Sequence, residues 1–330
     1  MSLCPVQPPG AERLLVFAAM RNEGAFAVEW LCWQRMLGFH ALIALNDCTD
    51  RSPDLLGAFE RAGWCTLVAH SPRPGQTAKQ SAFRAIRGHP LLRWADWLWV
   101  CDADEFLVPL EAEDASGLLD RLGRDAEGWA IHWRCFGDGG QARWSDRPVH
   151  RTFLRAAPRA KGINVFVKTL LRDPLRWRRL TDHTPIGAAG AAEDIRDTEG
   201  RRLARLAGPD RPVRFCEAIT HRHAQVNHYV IRWTDSFDLK RGTPSATAGI
   251  DRYTAGFFRS HNDNSEEDRS ALRFAARFDA LHAEAMALPG VRRLHHLCCM
   301  DYAARLAARA GLLPEQDPRW RHHRSEALRP

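Results

Sequence analysis

At 330 residues, 45% hydrophobic and 26% charged, the chain can bury a sizeable core, and it reads as one large soluble domain or one domain with an appendage. Nine cysteines without a C-x-x-C pair argue against a zinc framework or a disulfide scaffold; Cys32, Cys65 and Cys101 fall inside apolar patterns as small hydrophobes. The net charge of +7, carried overwhelmingly by arginine, suits a polyanionic partner, yet no recognition helix, zinc finger or run of interleaved aromatic and basic residues marks a specific nucleic-acid binder.

The opening Met1–Gly10 lacks a basic region followed by an apolar core, and no later segment has the length of a membrane span, so a cytoplasmic location is expected. Arg13–Ala19 reads as a buried strand. Phe26, Trp30, Trp33 and Leu37 then recur at the spacing of one helical face, which Gly38 closes. Ala41–Leu45 is a second strand, and Ser52-Pro53 opens a second helix with a capping hydroxyl and a proline at the first helical position. Trp64–Ala69, Gln76–Arg87 and Trp97–Cys101 read as a third strand, a third helix and a fourth strand. This alternation implies an α/β, Rossmann-like fold: a mainly parallel sheet flanked by helices.

Beyond residue 130 the pattern weakens. Trp129–Trp133 and Val165–Leu171 read as strands, with a Gly-rich turn at Phe136-Gly137-Asp138-Gly139-Gly140 between them. Residues 186–212 read as an exposed excursion. Ser265-Glu266-Glu267-Asp268 resembles a capping box that opens a long helix, and a second helix runs from Pro289-Gly290 to Gly311, giving a mostly helical C-terminal part. The terminal Arg319-Trp320-Arg321-His322-His323-Arg324 reads as a solvated tail, with contact to anionic lipid headgroups the alternative.

In such sheets ligands gather outside the carboxyl ends of the strands. Polar clusters stand at three of those ends: Arg21-Asn22-Glu23-Gly24, Asn46-Asp47-Cys48-Thr49-Asp50 and Asp102-Ala103-Asp104-Glu105. The third is the most informative. If strand alternation continues, Asp102 and Asp104 share one side, and two acids so close need a proton, a cation or strong hydrogen bonds. A hard divalent ion, Mn2+ or Mg2+, completed by substrate phosphates, is one fitting partner; an acidic turn is the plainer alternative.

With these motifs in this order, and with Phe136–Gly140, Lys168 and Asn227-His228-Tyr229 further on, residues 12–245 resemble the glycosyltransferases of the GT-A fold, in the bacterial family 2-like group with a D-x-D-E motif. The resemblance implies a nucleotide-sugar-binding catalytic domain over 1–245, with a helical extension over 246–330. It implies that Arg21, Asn22 and Glu23 line a nucleotide pocket, that Asp47 binds the base or ribose, and that Asp102 and Asp104 hold the metal, with His228 completing its shell. Lys79, Lys168, Lys240 and Arg241 are candidates for the phosphates. An inverting member also needs a base: Asp138, in its Gly-rich loop, is the leading candidate, with Glu105 second and Asp182-His183 a third. The expected reaction moves a sugar from a nucleotide diphosphate sugar, a UDP-sugar being the expected donor, to a glycan or glycolipid acceptor. The other readings are a sugar-nucleotide pyrophosphorylase or nucleotidyltransferase, against which stands the lack of a Gly-rich basic loop after the first strand, and a non-catalytic polyanion-binding module.

Overall fold

The computed structural model describes residues 5, 10–188, 193–203, 215, 216, 218–247 and 249–329. Four strands read from the sequence form its parallel half: β1 (Leu14–Met20), β2 (His40–Leu45), β3 (Cys65–Ala69) and β4 (Trp97–Val100), in spatial order β3-β2-β1-β4. The other half is mixed. The strand Val167–Arg172 lies antiparallel to β4 and also to β6 (Gly128–Cys135); the strand Ala224–His228 runs parallel to β6 and antiparallel to β5 (Glu105–Pro109), which forms the edge.

One side of β6 is shared. Its start pairs with Ile195–Asp197 and its end, Trp133–Cys135, with Ala224–His228. The expected excursion over 186–212 therefore contains a sheet strand at Ile195–Asp197; its residues 189–192 and 204–212 lie outside the described ones.

Helices cover both faces, as the alternation requires. α1 (Gly24–Met36) and α2 (Ser52–Arg61) pack on one face with the C-terminal helices Ala275–Ala287 and Val291–Arg309; α3 (Ala78–Ile86) and the short helix Pro90–Trp94 pack on the other. Because α1 lies between the sheet and the C-terminal helices, twelve of its thirteen residues are buried, far more than the expected single stripe. Gly24 permits that packing. A Cβ there would stand 2.6 Å from Cys298 Sγ and 2.9 Å from Cys298 Cβ. Gly24→Ala is expected to destabilise the fold by about 1–3 kcal/mol, the usual cost of overpacking, and urea titration checks this.

Two expectations about the C-terminal part are corrected. Ser265–Asp268 does not open a long helix: Glu266–Glu267 pairs as a short strand with Arg155–Ala156, and a 3-10 turn, Ser270–Phe274, precedes the helix. The acidic run goes to charge neutralisation instead, with Glu266 and Asp268 each 2.9 Å from the buried Arg134. The Arg319–Arg324 segment is no solvated tail. It belongs to the helix Pro318–Ala327, which Asp317 caps and which buries His323. No helix among the described residues is long and apolar enough to cross a membrane, and the eight described cysteines are all unpaired.

Candidate active site

β4 ends at Val100, and Asp102–Glu105 forms a tight turn into β5. Strand alternation thus stops before the acids, contrary to the sequence reading. The Glu105 N–H donates to the Asp102 carbonyl at 3.1 Å, and the Glu105 carboxylate accepts the Asp102 N–H at 2.8 Å. This bracing sends the two aspartates to different partners.

Asp102 faces two lysines. Lys79 Nζ bonds Oδ1, and Lys168 Nζ lies 3.3 Å from Oδ2 and 2.8 Å from Glu105 Oε2. Lys79 reaches the turn from the first turn of α3, whose start is fixed by a reciprocal Thr77–Gln80 capping box. Lys168 comes from the strand beside β4. Burial opposes ionisation of Asp102, but Lys168 and Lys79 outweigh it and hold the carboxyl far below its usual range. Asp104 lies 3.7 Å from Lys240 Nζ and 3.9 Å from His228 Nε2. Burial opposes its ionisation too, yet Lys240 and its neighbours bring it down to about 2.

His228 arrives by strand register, paired with Glu105 on one side and Cys135 on the other, its ring 4.1 Å from that of Trp133. Burial drives its pKa down to about 3, so the imidazole is neutral. The sequence reading missed Arg232, which has a left-handed backbone (φ 55°), stacks on Phe26 at 4.0 Å, donates to the Ala103 carbonyl at 3.0 Å and lies 3.7 Å from Glu23. A lone arginine inside Val230-Ile231-Arg232-Trp233 was the available signal. Equally telling, the chain has only four lysines among 47 basic residues, and three of them, Lys79, Lys168 and Lys240, converge on this turn.

The β1 and β2 loop ends lie together. Asn22 (φ 59°) accepts the Thr49 N–H at 2.7 Å and donates to the Thr49 hydroxyl at 3.0 Å; Asp47 (φ 44°) is exposed beside Asn46, and Arg21 is exposed. Glu23, through Arg232, joins this loop pair to the acidic turn.

Other candidates lie elsewhere or are already engaged. Both Asp138 oxygens accept hydrogen bonds, one from the Gly140 N–H within the loop at 2.9 Å and one from the side-chain amide of Asn262, just past the helix Ala255–His261, at 2.9 Å, so this carboxylate closes the Gly-rich turn and ties it to that segment. Glu105 is fully buried, and burial lifts its pKa to about 7. Arg241 pairs with Asp238 at 3.1 Å. Asp182 does join the cluster: it lies 3.7 Å from Lys79 and accepts from the Thr247 hydroxyl at 3.3 Å. Burial raises its pKa, but Lys79 and other cations more than reverse this, leaving it ionised. His183, whose pKa burial lowers to about 4, instead bonds the Val167 carbonyl.

Asp182 and Lys79 also line a groove of about 850 Å3 that runs along α3, with Phe83, Arg84 and Trp177 among its walls. Its size suits a ligand of several rings.

The donor chemistry around Asp104 suits a divalent cation: an ionised carboxylate faces a neutral imidazole, the protonation states that metal ligation needs. Asp102, Asp104 and His228 do not converge as a set of three, however. Among the described residues only Asp146, His322 and His323 bring three such ligand atoms within 4.8 Å of one another. Asp104 and His228 form the fitting pair, while Asp102 serves as a lysine anchor.

No protein-family model and no curated protein matches the chain. Among solved structures, S. aureus TarS 1-349 is 11% identical over 96% of this chain and 88% of that one, with a TM-score of 0.36. The match to its UDP complex, also 11% identical, covers 49% of this chain and about half (47%) of that one, with a TM-score of 0.32. The bifunctional glycosyltransferase WbbM is 14% identical over 38% of this chain and 24% of that one, with a TM-score of 0.25. At these scores the likeness has no weight in assigning function, which rests on the side chains of the cleft.

Proposed function

We propose that the chain is a glycosyltransferase that moves a sugar from a nucleotide diphosphate sugar, a UDP-sugar first among them, to a hydroxyl of a glycan or glycolipid. The observation that carries this reading is the concentration of Lys79, Lys168, Lys240 and Arg232 around two ionised aspartates at the carboxyl end of β4. Such a cation-rich, partly buried site suits a leaving group that gains negative charge as the anomeric C–O bond breaks. Lysine, a compact point charge with three donors, suits a diphosphate there.

Asp104 and His228 would hold Mn2+ or Mg2+, which when bound supplies Lewis-acid neutralisation of the diphosphate. Lys79 and Lys168 exchange part of their pairing with Asp102 for phosphate oxygens, and Asp102 keeps them aimed. Lys240 faces the same charge from across Asp104. Asn22 and Asp47 fix the nucleoside end at the β1 and β2 loops. In an inverting reaction the acceptor oxygen attacks the anomeric carbon, the broken bond's electron pair leaves with the diphosphate, and Asp182, ionised beside Lys79 in the groove wall, takes the hydroxyl proton.

Incubating the protein with UDP-sugars, Mn2+ and candidate acceptors is expected to release UDP in a manganese-dependent way. Pyrophosphate release from a nucleoside triphosphate and a sugar phosphate, without UDP release, would replace this reading with a nucleotidyltransferase. Absence of any nucleotide turnover and of any manganese-dependent nucleotide binding would remove it.

A further inference from the structure

The Arg319–Arg324 motif is not used by the cleft, and its docking is specific. Arg319 Nη1 lies 2.7 Å from Asp235 Oδ2, and the Asp235 carboxylate accepts the Trp144 N–H at 3.0 Å, joining the helix Pro318–Ala327 both to the loop after β6 and to the helix Thr234–Lys240. One turn further on, His322 and His323 meet Asp146 of that same loop. One ligand atom from each of the three lies within 4.8 Å of the other two. His323 is buried against Trp144, with ring centroids 5.7 Å apart, whereas Asp146 and His322 are exposed.

We propose that Asp146, His322 and His323 form a metal site for a transition ion of the zinc class, separate from the cleft, which clasps the C-terminal helix to the loop after β6. Two imidazoles and a carboxylate are a donor set that zinc takes, with its fourth position open to water. Tetrahedral coordination at about 2.1 Å from each donor needs donors roughly 3.4 Å apart. Asp146 and His322, both exposed, can close over an ion while buried His323 stays in place. His296 supplies the outer contact: its Nδ1 lies 3.1 Å from His323 Nδ1, so one of the two nitrogens carries a proton and the other accepts it, which fixes the His323 ring.

The site is tested on the full chain carrying Asp104→Asn, so that an ion in the cleft is not counted, after removal of metals with a chelator. Zinc is titrated by calorimetry, and the melting temperature is read with and without it. One zinc per chain is expected, with a rise in melting temperature of roughly 5 °C at a hundredfold excess over Kd. Adding His322→Ala or Asp146→Asn, both at exposed positions, is expected to weaken zinc binding at least tenfold and remove the shift, with the metal-free melting temperature retained. Failure to bind zinc below about 100 μM, or a loss smaller than tenfold in both variants, overturns the proposal.

Discussion

Asp104→Asn is expected to cut turnover of the sugar nucleotide by about 10²–10³-fold, the scale on which removing one preorganised electrostatic group acts. The amide keeps the shape of the side chain but not its charge. It therefore no longer pairs an anionic oxygen with His228 at 3.9 Å, and it leaves Lys240 without its counter-charge at 3.7 Å. The loss should appear in kcat and in manganese-dependent nucleotide binding together, with circular dichroism unchanged, because the turn is braced by Glu105 and not by Asp104. Nucleoside diphosphate release at saturating donor measures the effect. A variant within threefold of the parent would show that the acid is not part of the reacting site.

Lys168→Met carries the largest expected cost in stability. Lys168 and Glu105 are both fully buried, and the ammonium lies between Glu105 and Asp102. Removing it leaves a buried carboxylate uncompensated, a change that costs about 3–5 kcal/mol. The cost depends on pH in a definite direction. Burial already lifts the Glu105 pKa to about 7, above its ordinary value, so the folded state holds a proton that the unfolded state gives up between the two values. Stability from that proton is present at low pH and lost as pH rises through the folded pKa. Without the lysine that pKa rises further, and the variant should suffer more at pH 8 than at pH 5.5. Lys168→Met with Glu105→Gln should recover part of the loss, since the amide needs no counter-charge. Urea titrations of the parent, single and double variants at both pH values decide it; a single-variant loss under about 1 kcal/mol at pH 8 would contradict the buried-pair account.

The parallel half of the sheet could be read from the sequence because each strand there is a short apolar run and each helix repeats with its own period. The mixed half was less legible. Trp129–Trp133 and Val165–Leu171 were read as strands and lie in β6 and Val167–Arg172, but β5 and Ala224–His228 are set by pairing between distant segments, which local pattern does not carry. Within the candidate site, Asp102, Asp104, Lys79, Lys168, Lys240 and His228 were named as candidates from the sequence, and the fold brings them near one another. Their division into an Asp102–lysine cluster and an Asp104–His228 pair was not readable, because it follows from a turn that begins where the strand was expected to continue. Asp138 stood out for its neighbouring glycines, yet the left-handed Gly139 and Gly140 turn the chain so that its carboxylate accepts the Gly140 N–H, and its other oxygen is taken by the distant Asn262. Arg232 was overlooked in an apolar run whose burial only the fold reveals. The scarcity of lysine was visible in composition, and its meaning emerged once three of the four were found in one place.

The shared side of β6 has a consequence for how the molecule comes to be competent. The segment that delivers His228 lies between two neighbours: beyond the stretch of β6 taken by Ile195–Asp197 it pairs with the end of that strand, and on its other side it pairs along the whole of β5. Asp104 and its imidazole are separated by more than a hundred residues, so bringing them together closes a long loop at an entropic cost that the sheet pairing offsets. Among the described strands β5 has no other partner in the sheet, so one strand both ties the acidic turn to the sheet and carries the imidazole to it, and a change that loosens Ala224–His228 releases acid and histidine together.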